Sequence, residues 1–331
     1  MKLSIIVPVY NMAAEGKLEY CLNSLVAQTI GDYEIIAVDD CSTDDSWKIL
    51  QDYQKRYPEK FCAIHSDVNQ KQGGAKNIGM AAAQGEWIGF IDSDDWITPD
   101  FYERLIGKGE ETGADMVGCD YHMTGEHSMK VGQVVPNNRP EQTGVLNEEK
   151  YRSLILDGGS LVVKVYRREI VIDHPSRFPT GIFYEDNALA NSWMLRARHF
   201  EYIEEPLYYY YQHDTSTVHT ITARRCEDRM EAGRIMLREA VQYGYLEKYR
   251  PDRLREQPHS GSGKPKYCMR GFGPTKEMQT AVYSVYLKSW GRRIICRRRL
   301  FCSALPALVR IRPIMTGLFR LLPVSFRNPS N

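Results

Sequence analysis

The sequence predicts an α/β protein built on a doubly wound, mostly parallel sheet with helices on both faces. Short apolar, β-branched runs suited to buried strands alternate with segments of helical periodicity through the first 95 residues. Polar side chains cluster directly after those runs, where parallel sheets bind their ligands. The composition, 43% hydrophobic and 26% charged over 331 residues, is that of a globular protein with a sizeable core.

The first part of the chain supplies four predicted strands, all short and apolar enough to be buried on both faces. They are 3–9, 34–38, 61–65 and 87–91. The intervening segments have apolar residues at helical spacing, and the polar stretch 69–74 is predicted to be a loop. The predicted helices are 18–26, 46–56 and 75–83.

The second part is less regular but continues the alternation. We predict helices at 99–112, 146–157, 183–194 and 224–243, strands at 114–121, 160–167 and 202–211, and a hairpin within 122–145. The predicted organisation is a catalytic domain at 1–220, with halves 1–120 and 121–220, then a helical extension at 221–256. A flexible linker at 257–275, rich in Gly, Pro and Ser, precedes a helical basic tail at 276–331.

The charge is distributed unevenly along the chain. After Glu277 there is no Asp or Glu, whereas ten of the 43 basic residues lie there among apolar ones. Three prolines divide this tail into short segments that suit amphipathic helices lying in a membrane interface. We therefore expect a cytoplasmic protein attached peripherally to the inner face of the membrane. The alternative is a helical hairpin that packs on the catalytic domain or on a dimer partner.

Several protein classes are disfavoured. The eight cysteines show neither zinc-ligand spacing nor a disulfide framework, so we expect free thiols. No signal peptide is predicted, because Met1 and Lys2 lead directly into a strand, and no run of 18 apolar residues appears. No Gly-x-Gly-x-x-Gly follows the first strand, which disfavours a dinucleotide-dependent oxidoreductase. No nucleic-acid partner is expected.

An acidic cluster ends the fourth predicted strand. Asp92, Asp94 and Asp95 lie within four residues, and such crowding is tolerated when a cation neutralises it. Mg²⁺ and Mn²⁺ bind through one or two carboxylates and complete their shells with substrate phosphates. A helix cap ahead of Pro99 is the alternative for this cluster.

Other polar residues are expected at the same edge of the sheet. Tyr10 and Asn11 follow the first strand, and Asp39 ends the second, where the alternative is a cap for the helix after it. Lys76 lies near a predicted helix start, which favours phosphate, although a solvated surface lysine is the alternative. Glu185 and Asp186 lie at the start of another predicted helix, where a capping pair is the alternative.

Four ordered motifs resemble glycosyltransferase family 2. They are Ser4-Ile-Ile-Val-Pro-Val-Tyr-Asn11, Val38-Asp-Asp-Cys-Ser-Thr-Asp44, Gly74-Ala-Lys-Asn-Ile-Gly79 and Gly85-Glu-Trp-Ile-Gly-Phe-Ile-Asp-Ser-Asp-Asp95. The resemblance is strong over 3–120 and weaker over 145–220. It implies a GT-A fold, an inverting transfer from a nucleotide-sugar, and donor binding by the first half of the catalytic domain. Cys41 departs from the glycine usual in the family, and Lys76 departs from the usual arginine.

The resemblance also implies a role for each candidate residue. The donor would be held by Pro8, Tyr10, Asn11, Asp39, Lys76, Asp92 and Ser93. The divalent cation, Mn²⁺ or Mg²⁺, would be bound by Asp94, Asp92 and His213. Asp186 would be the general base, supported by Glu185, and Asp95 would only cap the next helix.

The expected substrates are a nucleotide-sugar, with UDP as the expected nucleotide, and a saccharide or lipid-linked acceptor in polysaccharide or surface-glycan assembly. Two tryptophans, Trp96 and Trp193, would pack either on sugar faces or in the core. The rival functions are a metal-dependent nucleotidyltransferase, which would not need the pair Glu185 and Asp186, and an inactive glycan-binding homologue.

Overall fold

The computed structural model describes residues 1–130, 132–156, 159–212 and 222–243. Within them the strands are β1 (Leu3–Val9), β2 (Tyr33–Asp39), β3 (Phe61–His65), β4 (Trp87–Phe90), β5 (Trp96–Ile97), β6 (Met116–Thr124), β7 (Gln133–Val135), β8 (Gly144–Val145), β9 (Lys164–Arg167) and β10 (His199–Tyr211). The α-helices are α1 (Lys17–Val26), α2 (Ser46–Arg56), α3 (Lys71–Ala82), α4 (Phe101–Thr112), α5 (Glu148–Leu156), α6 (Arg168–Val171), α7 (Glu185–Arg196) and α8 (Ala223–Gln242).

One mixed sheet runs through the molecule in the order β3-β2-β1-β4-β9-β6-β10-β5. Strands β1 to β4 are mutually parallel, as are β6 and β10, whereas β9 lies antiparallel between β4 and β6. β7 and β8 pair antiparallel with β6 and β10. The carboxyl ends of β1, β2 and β4 therefore meet at one edge, as the sequence predicted.

Burial explains why these segments form the centre. Every residue of β1 and β4 is buried, and β2 is buried except at Glu34, which matches their continuous apolar runs. The helix α4 ends at Gly113, whose φ of +72° is the left-handed conformation that terminates helices. The helix α3 packs against β1 and β2, and α4 packs against β6, β9 and β10.

The structure corrects several predicted boundaries. The stretch 69–74, predicted to be a loop, contains the first turn of α3, which begins at Lys71. The short elements β5, β8 and α6 were not predicted, because two to four residues carry too little periodicity. The irregular region contributes β7, which pairs antiparallel with β6. Both Trp96 and Trp193 are fully buried, so core packing is correct and sugar stacking is wrong for them.

Some predictions fall on residues outside the described ranges. These are His213, the linker 257–275, the tail 276–331 and the end of the helical extension. Among the described residues, no helix is both long and apolar enough to cross a membrane.

Candidate active site

The residues that were predicted to bind the nucleotide lie at the ends of β1 and β2. The parallel register places Val9 beside Asp39, and the loops beyond them are tied by hydrogen bonds. The amide of Asn11 donates to Ser42 Oγ at 3.0 Å, and Asn11 Oδ1 accepts from the amide of Thr43 at 2.8 Å. The two loops therefore form one continuous surface, which brings the predicted residues of both motifs together.

Asp39 offers one carboxylate oxygen to a ligand. Its side chain is fully buried, and Oδ2 contacts His65 Nδ1 at 2.8 Å and accepts from the amide of Ser42 at 3.3 Å. No described residue donates to Oδ1, which is buried as well. A buried acceptor without a donor costs free energy, so this oxygen is suited to an N–H or hydroxyl of a bound ligand. Tyr10, 45% exposed, lies at the adjoining end of β1.

The alternative role of Asp39 as a helix cap is wrong. The amide of Ser46, at the start of α2, donates instead to Asp44 Oδ1 at 2.9 Å. Asp40 accepts through Oδ1 from the amide of Gln70 at 2.8 Å, which joins the end of β2 to the start of α3. Pro8 is buried inside β1 beside Val38. We therefore propose that the nucleotide-sugar is contacted near this position by the loop that follows β1.

Two non-glycine residues of these loops have left-handed backbones. Asn11 has φ of +52° and Cys41 has φ of +62°. Asparagine tolerates this region well, whereas cysteine pays the steric cost of its Cβ. Cys41, which departs from the glycine usual in the family, therefore has a strained backbone.

Replacement of Cys41 by glycine should stabilise the fold by about 0.5–1 kcal/mol. The steric cost of about 1–2 kcal/mol is relieved, and the greater freedom of glycine in the unfolded chain cancels part of this gain. The measurement is the free energy of unfolding in urea. Cys62→Gly is the matched control, because Cys62 is an exposed residue of strand β3. Glycine weakens a strand, so this variant should be less stable than the wild type. A lower stability of Cys41→Gly would contradict the assignment of strain.

The carboxylates of the acidic cluster differ in their contacts. Asp95 is fully buried, accepts from the hydroxyl of Tyr208 and accepts from the amide of Tyr211 at 2.8 Å. The prediction that Asp95 caps the next helix is therefore wrong, since α4 begins at Phe101 and Asp100 is its N-cap. Asp95 instead fastens the end of β10 to the turn that precedes β5.

Asp92 and Asp94 lie on the ligand side of this cluster. Burial raises the pKa of Asp92 to about 7; Asp94, Glu185 and Asp186 add to the rise, and Lys76 opposes it. No described residue donates to the buried Oδ1 of Asp92. Ser93, between the two aspartates, is 5% exposed. The described residues contain no preformed group of three or more metal-ligating side chains. Two carboxylates completed by a diphosphate nevertheless fit the way Mg²⁺ and Mn²⁺ bind.

Lys76 forms a buried ion pair with a residue 109 positions away. Its Nζ lies 2.7 Å from Glu185 Oε1, and the two side chains are only 3% and 5% exposed. Burial alone would lower the pKa of Lys76, but Glu185, Asp92 and Asp186 raise it above its ordinary value. The alternative of a solvated surface lysine is wrong, and the capping alternative for Glu185 is wrong because it pairs with Lys76. The phosphate contact of Lys76 stays a prediction.

Asp186 faces the same cluster from the start of α7. Burial and Glu185 raise its pKa, while Lys76 and the amide of Asn187 oppose the rise. The contact between α3 and α7 is close because Gly73 has no side chain. A Cβ there would lie 3.2 Å from the side chain of Glu185 in α7 and 2.2 Å from the carbonyl oxygen of Pro179 in the segment before α7. The sheet edge and the first turn of α7 thus place Asp186 within electrostatic reach of Asp92.

Three contributing residues were missed by the sequence analysis. His65, at the end of β3, lies in register beside Asp39, so its position after a parallel strand was an available signal. Tyr208 and Gly73 had no such signal, because their importance comes from contacts with Asp95 and Pro179 that are distant in sequence.

The fold and the site define a GT-A glycosyltransferase: a doubly wound sheet with a nucleotide loop, an acidic strand end and a distant carboxylate at one edge. The chain belongs to glycosyl transferase family 2, whose model matches residues 4–173. This confirms the family that the four motifs indicated, and with it the GT-A fold.

Similar proteins agree with the family assignment. The glycosyltransferase YibD of Escherichia coli is 31% identical over 219 residues, 65% of this chain and 62% of that one. EpsH of Bacillus subtilis is 35% identical over 223 residues with the same shares. The structure of Staphylococcus aureus TarS 1-349 in complex with UDP-GlcNAc has a TM-score of 0.59 and 25% identity, covering 73% of this chain and 67% of that one. The chain thus spans about three fifths of the curated relatives' length.

Proposed function

We propose that this chain transfers a sugar, with inversion at the anomeric carbon, from a UDP-sugar to a saccharide or lipid-linked acceptor in glycan assembly. The observation that carries the proposal is the buried ion pair of Lys76 and Glu185, which joins α3 to the start of α7 and puts Asp186 within electrostatic reach of Asp92. The family and the glycosyltransferase names of the relatives support glycan synthesis.

The nucleotide is proposed to bind at the ends of β1 and β2. A base can stack on the exposed ring of Tyr10, and an imide N–H or ribose hydroxyl can donate to the unpartnered Oδ1 of Asp39. The loop of Asn11 lines the same surface. Uracil has an imide N–H of this kind, and TarS has been solved with UDP and with UDP-GlcNAc.

The diphosphate is proposed to lie at the end of β4. Asp92 and Asp94 would hold a divalent cation there, with the predicted ligand His213 following β10. When bound, the cation would neutralise charge on the leaving diphosphate. Lys76 would add a fixed positive charge beside Asp92, whose pKa it already affects.

Asp186 is proposed to act as the base. Its carboxylate takes the proton of the acceptor hydroxyl as the oxygen bonds to the anomeric carbon, while the bond from that carbon to the diphosphate oxygen breaks. A single displacement of this kind inverts the configuration. Because burial and Glu185 raise the pKa of Asp186, its carboxylate is a stronger base than an exposed aspartate.

A screen of nucleotide-sugars for release of UDP or GDP, with Mn²⁺ and with chelator, tests this proposal. We expect UDP release from at least one UDP-sugar and a fall of tenfold or more when Mn²⁺ is removed. Asp94→Asn should reproduce the effect of chelation, while Asp67→Asn, which alters a fully exposed carboxylate, should behave as wild type. Pyrophosphate as the product would favour the nucleotidyltransferase, and turnover unaffected by chelator would overturn the metal assignment.

A further inference from the structure

His65 is placed to fix the carboxylate of Asp39, although the proposed function gives this histidine no role. It is the last residue of β3, and the parallel register sets it directly beside Asp39 at the end of β2. Its Nδ1 lies 2.8 Å from Asp39 Oδ2, and the side chain of Asp39 is fully buried. His65 therefore occupies one of the two carboxylate oxygens at the proposed nucleotide site.

The two oxygens of Asp39 have different surroundings. Oδ2 contacts His65 and also accepts from the amide of Ser42, whereas no described residue donates to Oδ1. Because an ionised carboxylate can only accept hydrogen bonds, Nδ1 of His65 is the donor in this pair. The arrangement fills Oδ2 and leaves Oδ1 as an acceptor for a ligand.

The ring of His65 has contacts on its other sides as well. Its centroid lies 5.1 Å from that of Trp47, which is in the first turn of α2. Its Nε2 lies 3.9 Å from the carboxylate of Asp67, a fully exposed residue. Among the described residues, His65 is the only side chain that hydrogen-bonds to Asp39. The orientation and charge of this carboxylate therefore depend on one replaceable side chain.

A group that can only accept hydrogen bonds discriminates between the pyrimidine bases. N3 of uracil carries a hydrogen that can be donated to Asp39 Oδ1, whereas N3 of cytosine is itself an acceptor. Two acceptors that face each other form no hydrogen bond, and each loses the one that it made with water. A protonated carboxyl group would not discriminate in this way, because it can donate as well as accept. A donor on Oδ2 stabilises the charged form and so keeps Oδ1 an acceptor.

We propose that His65 is a positioning residue that sets a preference for uracil over cytosine, by holding Asp39 as a charged acceptor whose Oδ1 is left for the base. The assignment rests on the proposed function, because it takes the nucleotide to lie at the ends of β1 and β2. His65 does not contact the base in this assignment, and its effect passes through Asp39. Substitution of His65 should therefore have no effect once the carboxylate of Asp39 is removed.

The test measures calorimetric binding of UDP and of CDP to the full chain in the presence of Mn²⁺. His65→Leu should weaken UDP binding by about tenfold or more and CDP binding by less than about threefold, so that the preference falls. His65→Asn should restore most of the preference, because the Nδ2 of asparagine can donate in place of the histidine Nδ1. Because 35% of the side chain of His65 is exposed, these substitutions should leave the fold intact.

Two further variants separate positioning from a general structural role. In the Asp39→Ala background, His65→Leu should change UDP affinity by less than about twofold, since no carboxylate is left to hold. Asp67→Asn alters the exposed carboxylate on the other side of the ring and should bind both nucleotides as the wild type does.

The contrary outcomes are distinct from one another. Equal losses of UDP and CDP affinity in His65→Leu, or no recovery of the preference in His65→Asn, would overturn the role of His65. A further loss of UDP affinity in the Asp39→Ala background would show that His65 acts by another route and would overturn it too. Failure of the proposed function is seen separately, as a wild type that neither binds UDP nor releases a nucleotide in the screen of nucleotide-sugars.

Discussion

Replacement of Asp186 by Asn should lower kcat for sugar transfer by about 10³-fold, while UDP affinity stays within about twofold. A positioned base contributes about 10²–10⁴-fold, and asparagine keeps the size of the side chain but cannot take a proton at neutral pH. The donor contacts proposed for Tyr10 and Asp39 lie on the other side of the cluster, so nucleotide binding should persist. The measurements are single-turnover transfer and calorimetric binding of UDP.

The pH dependence of the rate makes this result specific to a base. Because the unmodified base must be deprotonated, the wild-type rate should fall at acid pH, and the residual rate of the Asn variant should lose that dependence. Asp173→Asn is the control, since Asp173 is an exposed aspartate that pairs with Arg168. Wild-type turnover by Asp186→Asn would remove Asp186 from the mechanism.

Replacement of Lys76 by Met should destabilise the fold by about 3–5 kcal/mol. The change leaves the carboxylate of Glu185, which is only 5% exposed, without its partner, and an uncompensated buried charge costs about this much. Glu185→Gln should be destabilised similarly, because it leaves the ammonium of Lys76 buried. The measurement is the free energy of unfolding in urea for each variant.

The double variant and an exposed pair complete the comparison. Lys76→Met/Glu185→Leu removes both charges and should recover most of the lost stability, since buried pairs replaced by apolar groups are often near neutral. Arg104→Met breaks the exposed pair with Glu205 and should cost no more than about 1 kcal/mol. If the double variant loses as much stability as the two single variants together, Lys76 and Glu185 are not energetically coupled. That result would contradict the assignment of a stabilising ion pair between α3 and α7.

The first half of the fold was predictable because its strands are apolar throughout and its helices are amphipathic. The error at the start of α3 is instructive. Gly73 and Gly74 have poor helix propensity, and the stretch that contains them was predicted to be a loop. Gly73 nevertheless allows the close contact with Pro179 that tertiary packing requires. Local preference was overridden by a contact that the sequence does not reveal.

The site was predictable at the level of which residues take part, and less so at the level of what each contacts. The strand-end rule placed Asp39 and Asp92 correctly at one edge. The partners of Asp95 and Lys76 were not predictable, because Tyr208 and Glu185 lie more than a hundred residues further along the chain. Patterns of short range identify strand ends, but they carry no information about which distant side chain reaches them.

The position of the antiparallel strand β9 limits where this chain can be divided into fragments. This strand follows β8 in the chain but hydrogen-bonds to β4 on one side and to β6 on the other. A fragment that stopped before β9 would expose two unpaired strand edges in the middle of its sheet, a template for aggregation. The segment before β9 is therefore not a module that can be exchanged between homologues, and chimaeras should be joined after β10 instead.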